Sequence, residues 1–463
     1  MMKRLVFCFD GSWNRIDAPH PTNVLFTAES VLPLAGETAQ LIYYDEGVGT
    51  EKGEKFRGGM FGRGIEKNLN DAYRFLVFNH TPGDEIYIFG FSRGAFTARS
   101  FAGLIANCGI LARSRVGLVN QMMQSYRSRP KPVTDEFRLA MMHYRAENCP
   151  DVCISEAEDE WRAAQPDGKY RKGQSPLLSI RYVGIWDTVG ALGVPGYVLG
   201  ASLANREYQF HDCDLSPFIQ SARHAVSIDE RKKDFSPTLW ENLPELNRAR
   251  GFEPDALDAP YQQVWFPGNH GSTGGGGDVR GLADQALEWI WEGARAAGLR
   301  FDTAPGSMLY SLKPDDKEPL VNSTSKAKWY DPVNFIIGRL PVADRSPGPD
   351  QLHQVSLSAR RRWHRPASEL PEKAAYRPKT LTLVADVLDR LDAAELGIGV
   401  TPPVNLIAWH TVERDETLGA LAVKYYQDAA NWTHIFDANR DVLHDPDKVF
   451  VGQLLRIPAI GPA

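Results

Sequence analysis

The sequence predicts an α/β protein: a mostly parallel sheet with helices on both faces, followed by a small strand-helix-helix-strand unit. Three observations predict it. Over roughly the first 300 residues, short apolar runs alternate with segments of helical periodicity. The turn Gly90-Phe91-Ser92-Arg93-Gly94 joins a strand-like run to a helix of small residues. Finally, Gly397-Ile398-Gly399-Val400-Thr401-Pro402-Pro403 reads as a linker that sets the C-terminal residues apart.

Taken in order, Arg4–Phe9 is a short apolar run of the kind a strand buried on both faces requires, and Gln40–Tyr44 is a second. Ile65, Leu69, Ala72, Tyr73 and Leu76 recur at helical spacing. Thr81-Pro82-Gly83-Asp84 breaks that helix, and Glu85–Phe89 resumes as a strand. A helix from Gly94 to Ala106 follows, then a strand over Leu178–Trp186. Ala222–Glu230 reads as helical, Gln262–Phe266 as a strand, and Ala283–Ala297 as a helix. Residues 302–351 dissolve into Pro, Gly and charge, an irregular insertion that reads equally as a lid or binding loop and as a disordered stretch. Within it, Met308-Leu309-Tyr310 and Phe335-Ile336-Ile337 offer apolar contacts to a lipid-like substrate. The expected domains are a catalytic domain over 1–390, a linker over 391–406 and a module over 407–460.

Composition narrows the function. A formal net charge of −6 leaves no broad cationic field, which argues against nucleic acid as a partner. The five cysteines are scattered without zinc-site spacing and read as buried free thiols of a reducing compartment. The basic start Met1-Met2-Lys3-Arg4 precedes an apolar run too short for a signal peptide, and no segment reaches the length of a transmembrane span. The expectation is a chain made in the cytoplasm, with any export by a route that uses no cleaved signal.

Chance supplies Gly-x-Ser-x-Gly to many long chains, so its setting decides. Here a strand precedes the motif and a helix follows, the geometry of a nucleophile elbow in an α/β-hydrolase-like sheet. Ser92 is the candidate nucleophile. Gly90 and Gly94 are the structural elbow, glycines because strand and helix must approach closely. The Arg93 N–H, at the helix start, is placed to donate to an oxyanion. A serine nucleophile needs a base and the base an orienting acid, in the chain order Ser, Asp or Glu, His. Asp187 ends the strand at Trp186, and His270 follows the strand at Phe266 and precedes a glycine-rich loop. His211 is the alternative base; His224 reads as structural. The turn Asp10-Gly11-Ser12 after the first strand brings further N–H donors, at Gly11 or Ser12, to the same sheet edge, with Asp10 as an accessory or capping residue. A haloacid-dehalogenase phosphatase would need an acid where Cys8 stands. This chemistry requires no metal and no organic cofactor.

Together these segments resemble the family of type VI secretion phospholipase effectors of the first lipase class. The resemblance runs, in order, through Phe9-Asp10-Gly11-Ser12-Trp13-Asn14, Pro21-Thr22-Asn23-Val24, Tyr44-Asp45-Glu46-Gly47-Val48-Gly49-Thr50, Gly83–Ala95, Trp186–Gly190, Ile228-Asp229-Glu230-Arg231 and Trp265–His270. It implies a Ser-Asp-His esterase acting on phospholipid acyl esters and delivered into rival bacteria, with a secretion apparatus and an immunity protein as partners. The chain departs from the pattern after the histidine, where Gly271-Ser272-Thr273 stands in place of the usual acid two positions on. Residues 407–460 resemble a LysM module, through His410–Leu418, Ala420–Tyr426, Trp432, Ile435, Asn439 and Val451–Pro458. That resemblance implies a peptidoglycan-type glycan as a ligand. Two alternatives stay open: a cell-wall glycan O-acyl esterase targeted by the module, and a catalytically inert binding or delivery protein.

Overall fold

The computed structural model describes residues 2–11, 14–47, 59–130, 133–166, 168–190, 214–304, 306–323, 342–393, 396, 398, 406–440, 442–443 and 445–460. The chain forms two units: Met1–Ala222 with Pro237–Gly251, and Arg223–Ser236 with Phe252–Ala463.

The first unit is built on β1 (Lys3–Phe9), β2 (Leu34–Ala35), β3 (Thr38–Asp45), β4 (Glu85–Phe91) and β5 (Ile180–Trp186), in the spatial order β2-β3-β1-β4-β5. β1 runs parallel to both β3 and β4, and β4 parallel to β5; only the short β2 is antiparallel. Leu5 to Phe9 are all buried, which is why β1 shows no alternation in sequence. The helices α1 (Asn23–Ser30), α2 (Gly59–Asn79), α3 (Arg93–Cys108) and α4 (Asp135–Asn148) belong to the same unit. The five helical-period positions from Ile65 to Leu76 are buried. Phe7 shows how the layers join: its ring lies 5.9 Å from Tyr43 on β3, 5.8 Å from Phe75 on α2 and 4.7 Å from Phe101 on α3.

The second unit opens with β6 (Ala222–Ser227), whose first residue belongs to the first unit, beside β7 (Tyr261–Phe266). The expected helix over Ala222–Glu230 is therefore a strand. All six residues of β6 are buried, so both faces needed apolar or satisfied side chains and the pattern lost its period of two. The ladder continues beyond it, with the Ile228 N–H donating to Phe266 and the Asp229 N–H to Gly268. Two helices follow β7, the short α5 (His270–Gly274) and α6 (Gly281–Ala296). Of the irregular insertion, Leu309 is buried in this unit and Leu320 accepts from the Asn269 N–H at 2.9 Å. Phe335-Ile336-Ile337 fall in residues 324–341, which lie outside the described residues.

The C-terminal module pairs β8 (Leu406–Thr411) antiparallel with β9 (Leu454–Pro458), with α7 (Leu418–Tyr426) and α8 (Trp432–Ala438) between them. Thr417 caps α7 by accepting from the Ala420 N–H. Asn439 ties α8 to β9, its amide donating to Ile435 and Arg456 while its oxygen accepts from the Arg456 N–H. Leu418, Leu421, Ile435, Leu455 and Ile457 form its core. The module seats on α6 through Gly452, whose φ is +88°. A Cβ there would stand 2.4 Å from the Glu292 carbonyl, and the buried Arg295 Nε donates to the Gly452 carbonyl at 2.7 Å. Among the described residues no single helix is long and apolar enough to cross a membrane.

Candidate active site

Ser92 caps α3 with φ +59° and ψ −121°, a conformation that L-residues avoid at a cost of about 1–3 kcal/mol. It is held there by its neighbours. Its N–H donates to the Trp186 carbonyl at 3.0 Å, and its own carbonyl accepts from Phe96 at 3.3 Å. The two glycines are dictated by backbone contact. A Cβ on Gly90 would lie 2.5 Å from the Gly94 carbonyl oxygen, and one on Gly94 only 2.1 Å from that of Phe9. Arg93 opens α3, at the positive end of the helix.

Asp187 is the second strained residue, with φ +40° and full burial. The register pairs Phe91 with Trp186, so Ser92 and Asp187 directly follow paired residues on neighbouring parallel strands. The fold thus brings the candidate nucleophile and acid to one sheet edge.

Asp10 joins them from β1. Its carboxylate accepts from four groups: the Gly11 N–H at 2.6 Å, the Thr22 hydroxyl at 2.6 Å, the Tyr44 hydroxyl at 2.8 Å and the Asn14 amide at 3.1 Å. Burial pushes this carboxyl above its ordinary pKa, and the four donors pull the other way. Thr22 is itself the N-cap of α1. Asp10 therefore fastens the ends of β1 and β3 and the start of α1 around the turn facing Ser92. A Cβ built on Gly11 would be 3.3 Å from the Ser92 Cβ.

Of the expected oxyanion donors in that turn, the Gly11 N–H donates to the Asp10 carboxylate. Ser12, the other candidate in that turn, lies outside the described residues, as does His211.

In the second unit, His270 is the first residue of α5, whose N-cap Asn269 accepts from the Ser272 N–H. Its N–H donates to Glu230 at 3.3 Å, and its ring lies 4.9 Å from that of Phe235. Asp229 holds the loop one step earlier, accepting from the Gly268 N–H at 2.7 Å and from the Tyr376 hydroxyl at 2.8 Å. Burial raises the Asp229 carboxyl to about 6. Two positions after the histidine, the Ser272 hydroxyl proton is shared between the Asn269 side-chain oxygen at 3.0 Å and the Leu320 carbonyl at 2.8 Å. His224 is structural too, buried on β6 with Nδ1 2.9 Å from the Gln263 amide oxygen. The sequence pointed to Asp229 and Glu230 as a motif without a task, and because the run before them reads as helical, their place after a buried strand was not visible there.

Comparison with known proteins adds the family. Residues 3–293 match the catalytic domain described as T6SS, phospholipase effector Tle1-like, and residues 410–458 match the LysM domain. An uncharacterized protein of Saccharomyces cerevisiae is 24% identical over 259 residues, which are 53% of this chain and 33% of the yeast protein. The potassium binding protein Kbp of Escherichia coli is 32% identical over 92 residues, 20% of this chain and 57% of Kbp. Among solved structures, the Tle1 effector bound to the VgrG spike of the type 6 secretion system aligns with a TM-score of 0.30 and 17% identity. It covers 59% of this chain and 51% of that one. An uncharacterized protein from Pseudomonas aeruginosa aligns with a TM-score of 0.34 and 16% identity, covering 68% and 49%. The chain thus spans a third to little more than half of each relative's length. On the match over residues 3–293, the chain belongs to the family of type VI secretion phospholipase effectors with a Tle1-like catalytic domain, and it carries a LysM domain behind it.

Proposed function

We propose that the chain is a serine esterase that hydrolyses acyl esters of membrane phospholipids, working as an antibacterial type VI secretion effector. The observation that carries this reading is the strained Ser92 at a glycine-flanked elbow, with Asp187 on the adjoining strand end. In the proposed mechanism, His270, oriented by Asp187, takes the Ser92 proton as the hydroxyl attacks the ester carbonyl. The Arg93 N–H at the start of α3 stabilises the oxyanion, aided by the turn that Asp10 holds. His270 passes that proton to the lysophospholipid oxygen as the ester C–O bond breaks, and water that His270 then activates hydrolyses the acyl-enzyme to free fatty acid and Ser92. The protein is made in the cytoplasm and reaches the target envelope by a signal-independent route, with a VgrG-type spike as carrier and an immunity protein guarding the producer. Phospholipase A is the finer assignment.

The LysM domain favours a second reading, an O-acyl esterase of cell-wall glycan that the module brings to its substrate. Mass spectrometry on phospholipid vesicles and on purified peptidoglycan, each treated with wild type and Ser92→Ala, separates the two. Fatty acid and lysophospholipid released by wild type alone support the first reading; acetate from the glycan with no fatty acid supports the second. Equal release by Ser92→Ala contradicts both.

A further inference from the structure

In the second unit, residues 315–322 form a strap over the loop that carries His270. The Leu320 carbonyl accepts from the Asn269 N–H at 2.9 Å and from the Ser272 hydroxyl at 2.8 Å, residues on either side of the candidate base. The Asn322 carbonyl accepts from the Val279 N–H at 3.2 Å. A Cβ on Gly277 would collide with that carbonyl oxygen, and one on Gly271 would stand 2.6 Å from the Asn322 amide. These two positions are glycine so that the strap can lie against their backbone.

Arg362 holds the strap from the helix Leu357–His364, where its side chain is fully buried. Its guanidinium donates to the Asp316 and Glu318 carbonyls, each at 2.7 Å, and to the Glu372 carboxylate at 2.6 Å. The other Glu372 oxygen accepts from the Leu320 N–H at 3.1 Å, so Leu320 is held from behind while its carbonyl reaches the loop. A second route starts from the same group. The guanidinium carbon lies 5.3 Å from the centroid of the Tyr376 ring, and the Tyr376 hydroxyl donates to Asp229 at 2.8 Å. Asp229 in turn accepts from the Gly268 N–H at 2.7 Å. The two routes thus end on Gly268 and Asn269, the residues immediately before His270. A guanidinium suits the task, being planar and always charged, with donors enough for two carbonyls and a carboxylate at once.

We propose that Arg362 is a positioning residue for His270, acting through Glu372 and Leu320 on one route and through Tyr376 and Asp229 on the other. The role rests on the reading of His270 as the general base. In the full-length chain, Glu372→Ala and Tyr376→Phe each cut one route, and Arg362→Met cuts both. Arg365→Gln is the control, since it breaks the 2.9 Å ion pair with Asp316 on the same strap and touches neither route. Turnover of a soluble ester is measured beside amide hydrogen exchange read residue by residue. Glu372→Ala is expected to speed exchange at Asn269 and Tyr376→Phe at Gly268. Each lowers kcat about tenfold with KM unchanged, and the two together about 10²-fold, the scale of an ångström's misplacement. Arg362→Met matches the pair, and adding Tyr376→Phe to it changes little, the non-additivity a shared anchor requires. Arg365→Gln lowers Tm and leaves kcat as in wild type. If Arg362→Met does not fold, the two single variants and their combination carry the test. The role is overturned if His270→Ala loses turnover while the folded double variant keeps the wild-type kcat. It is equally overturned if Arg365→Gln, at the same loss of Tm, lowers kcat as far as Glu372→Ala. Wild-type turnover by His270→Ala overturns the reading of His270 itself, and the positioning role with it.

Discussion

Asp10 is the residue on which the Ser92 surroundings most depend without touching the reacting bond. Four donors converge on its two oxygens, and an amide in its place has one acceptor oxygen and a donor that faces two of them. Asp10→Asn is therefore expected to loosen the turn beside Ser92 and to lower kcat by about 10²-fold, the scale of an ångström's misplacement, with KM little changed. Steady-state kinetics on a soluble ester checks the split; an unchanged kcat contradicts the positioning role. His80 makes a different demand. Burial lowers its imidazole to about 4 from an ordinary 6.5. Above pH 6.5 both folded and unfolded forms are neutral and its burial carries no proton penalty. As pH falls, the unfolded imidazole protonates first, so stability declines by about 3 kcal/mol until the folded group titrates near pH 4. Urea unfolding at pH 7 and pH 4.5 should show a smaller acid loss for His80→Leu than for wild type. At this scale Ser92 and Asp187 drew notice because each closes a strand-like run, and His270 because such a run ends at Phe266, four residues before it. The Asp10 hub did not, since its donors come from positions 11, 14, 22 and 44, which only the parallel register brings together.

The nucleophile elbow shows what elements require of single positions. Gly94 lets α3 cross the end of β1 with its backbone almost in contact, whereas Gly90 needs room only within the elbow itself. Gly94→Ala is therefore expected to be the more damaging, by more than about 4 kcal/mol, with Gly90→Ala less severe. Gly117→Ala is the control, since a Cβ there meets nothing within 4 Å. Chemical denaturation of the three variants gives the order, and a Gly94→Ala as stable as Gly117→Ala contradicts the close approach. Sequence periodicity served well where one face was exposed, as in α2. It failed for β6, where Arg223 and His224 sit buried within the strand. Arg223 is buried because its guanidinium donates to the Trp289 carbonyl and lies over the Trp289 ring, partners that no local pattern announces.

Over the whole molecule, the sequence revealed the C-terminal module as a unit of its own but not its seat. Gly452 reads locally as a turn glycine, yet its missing side chain is also what allows α6 to approach. Gly452→Val should release the module, splitting one calorimetric transition of the second unit into two; Arg295→Ala, which leaves the module turn intact, should do so more weakly. A single transition in both variants contradicts a seated module. Whether Ser92 is an activated nucleophile is tested by covalent labelling with a fluorophosphonate probe, read by peptide mass spectrometry. An activated Ser92 takes up one adduct, rapidly in wild type and slower by orders of magnitude in His270→Ala and Asp187→Asn. An unlabelled Ser92 in the folded chain, or labelling at the same rate in all three proteins, would contradict it.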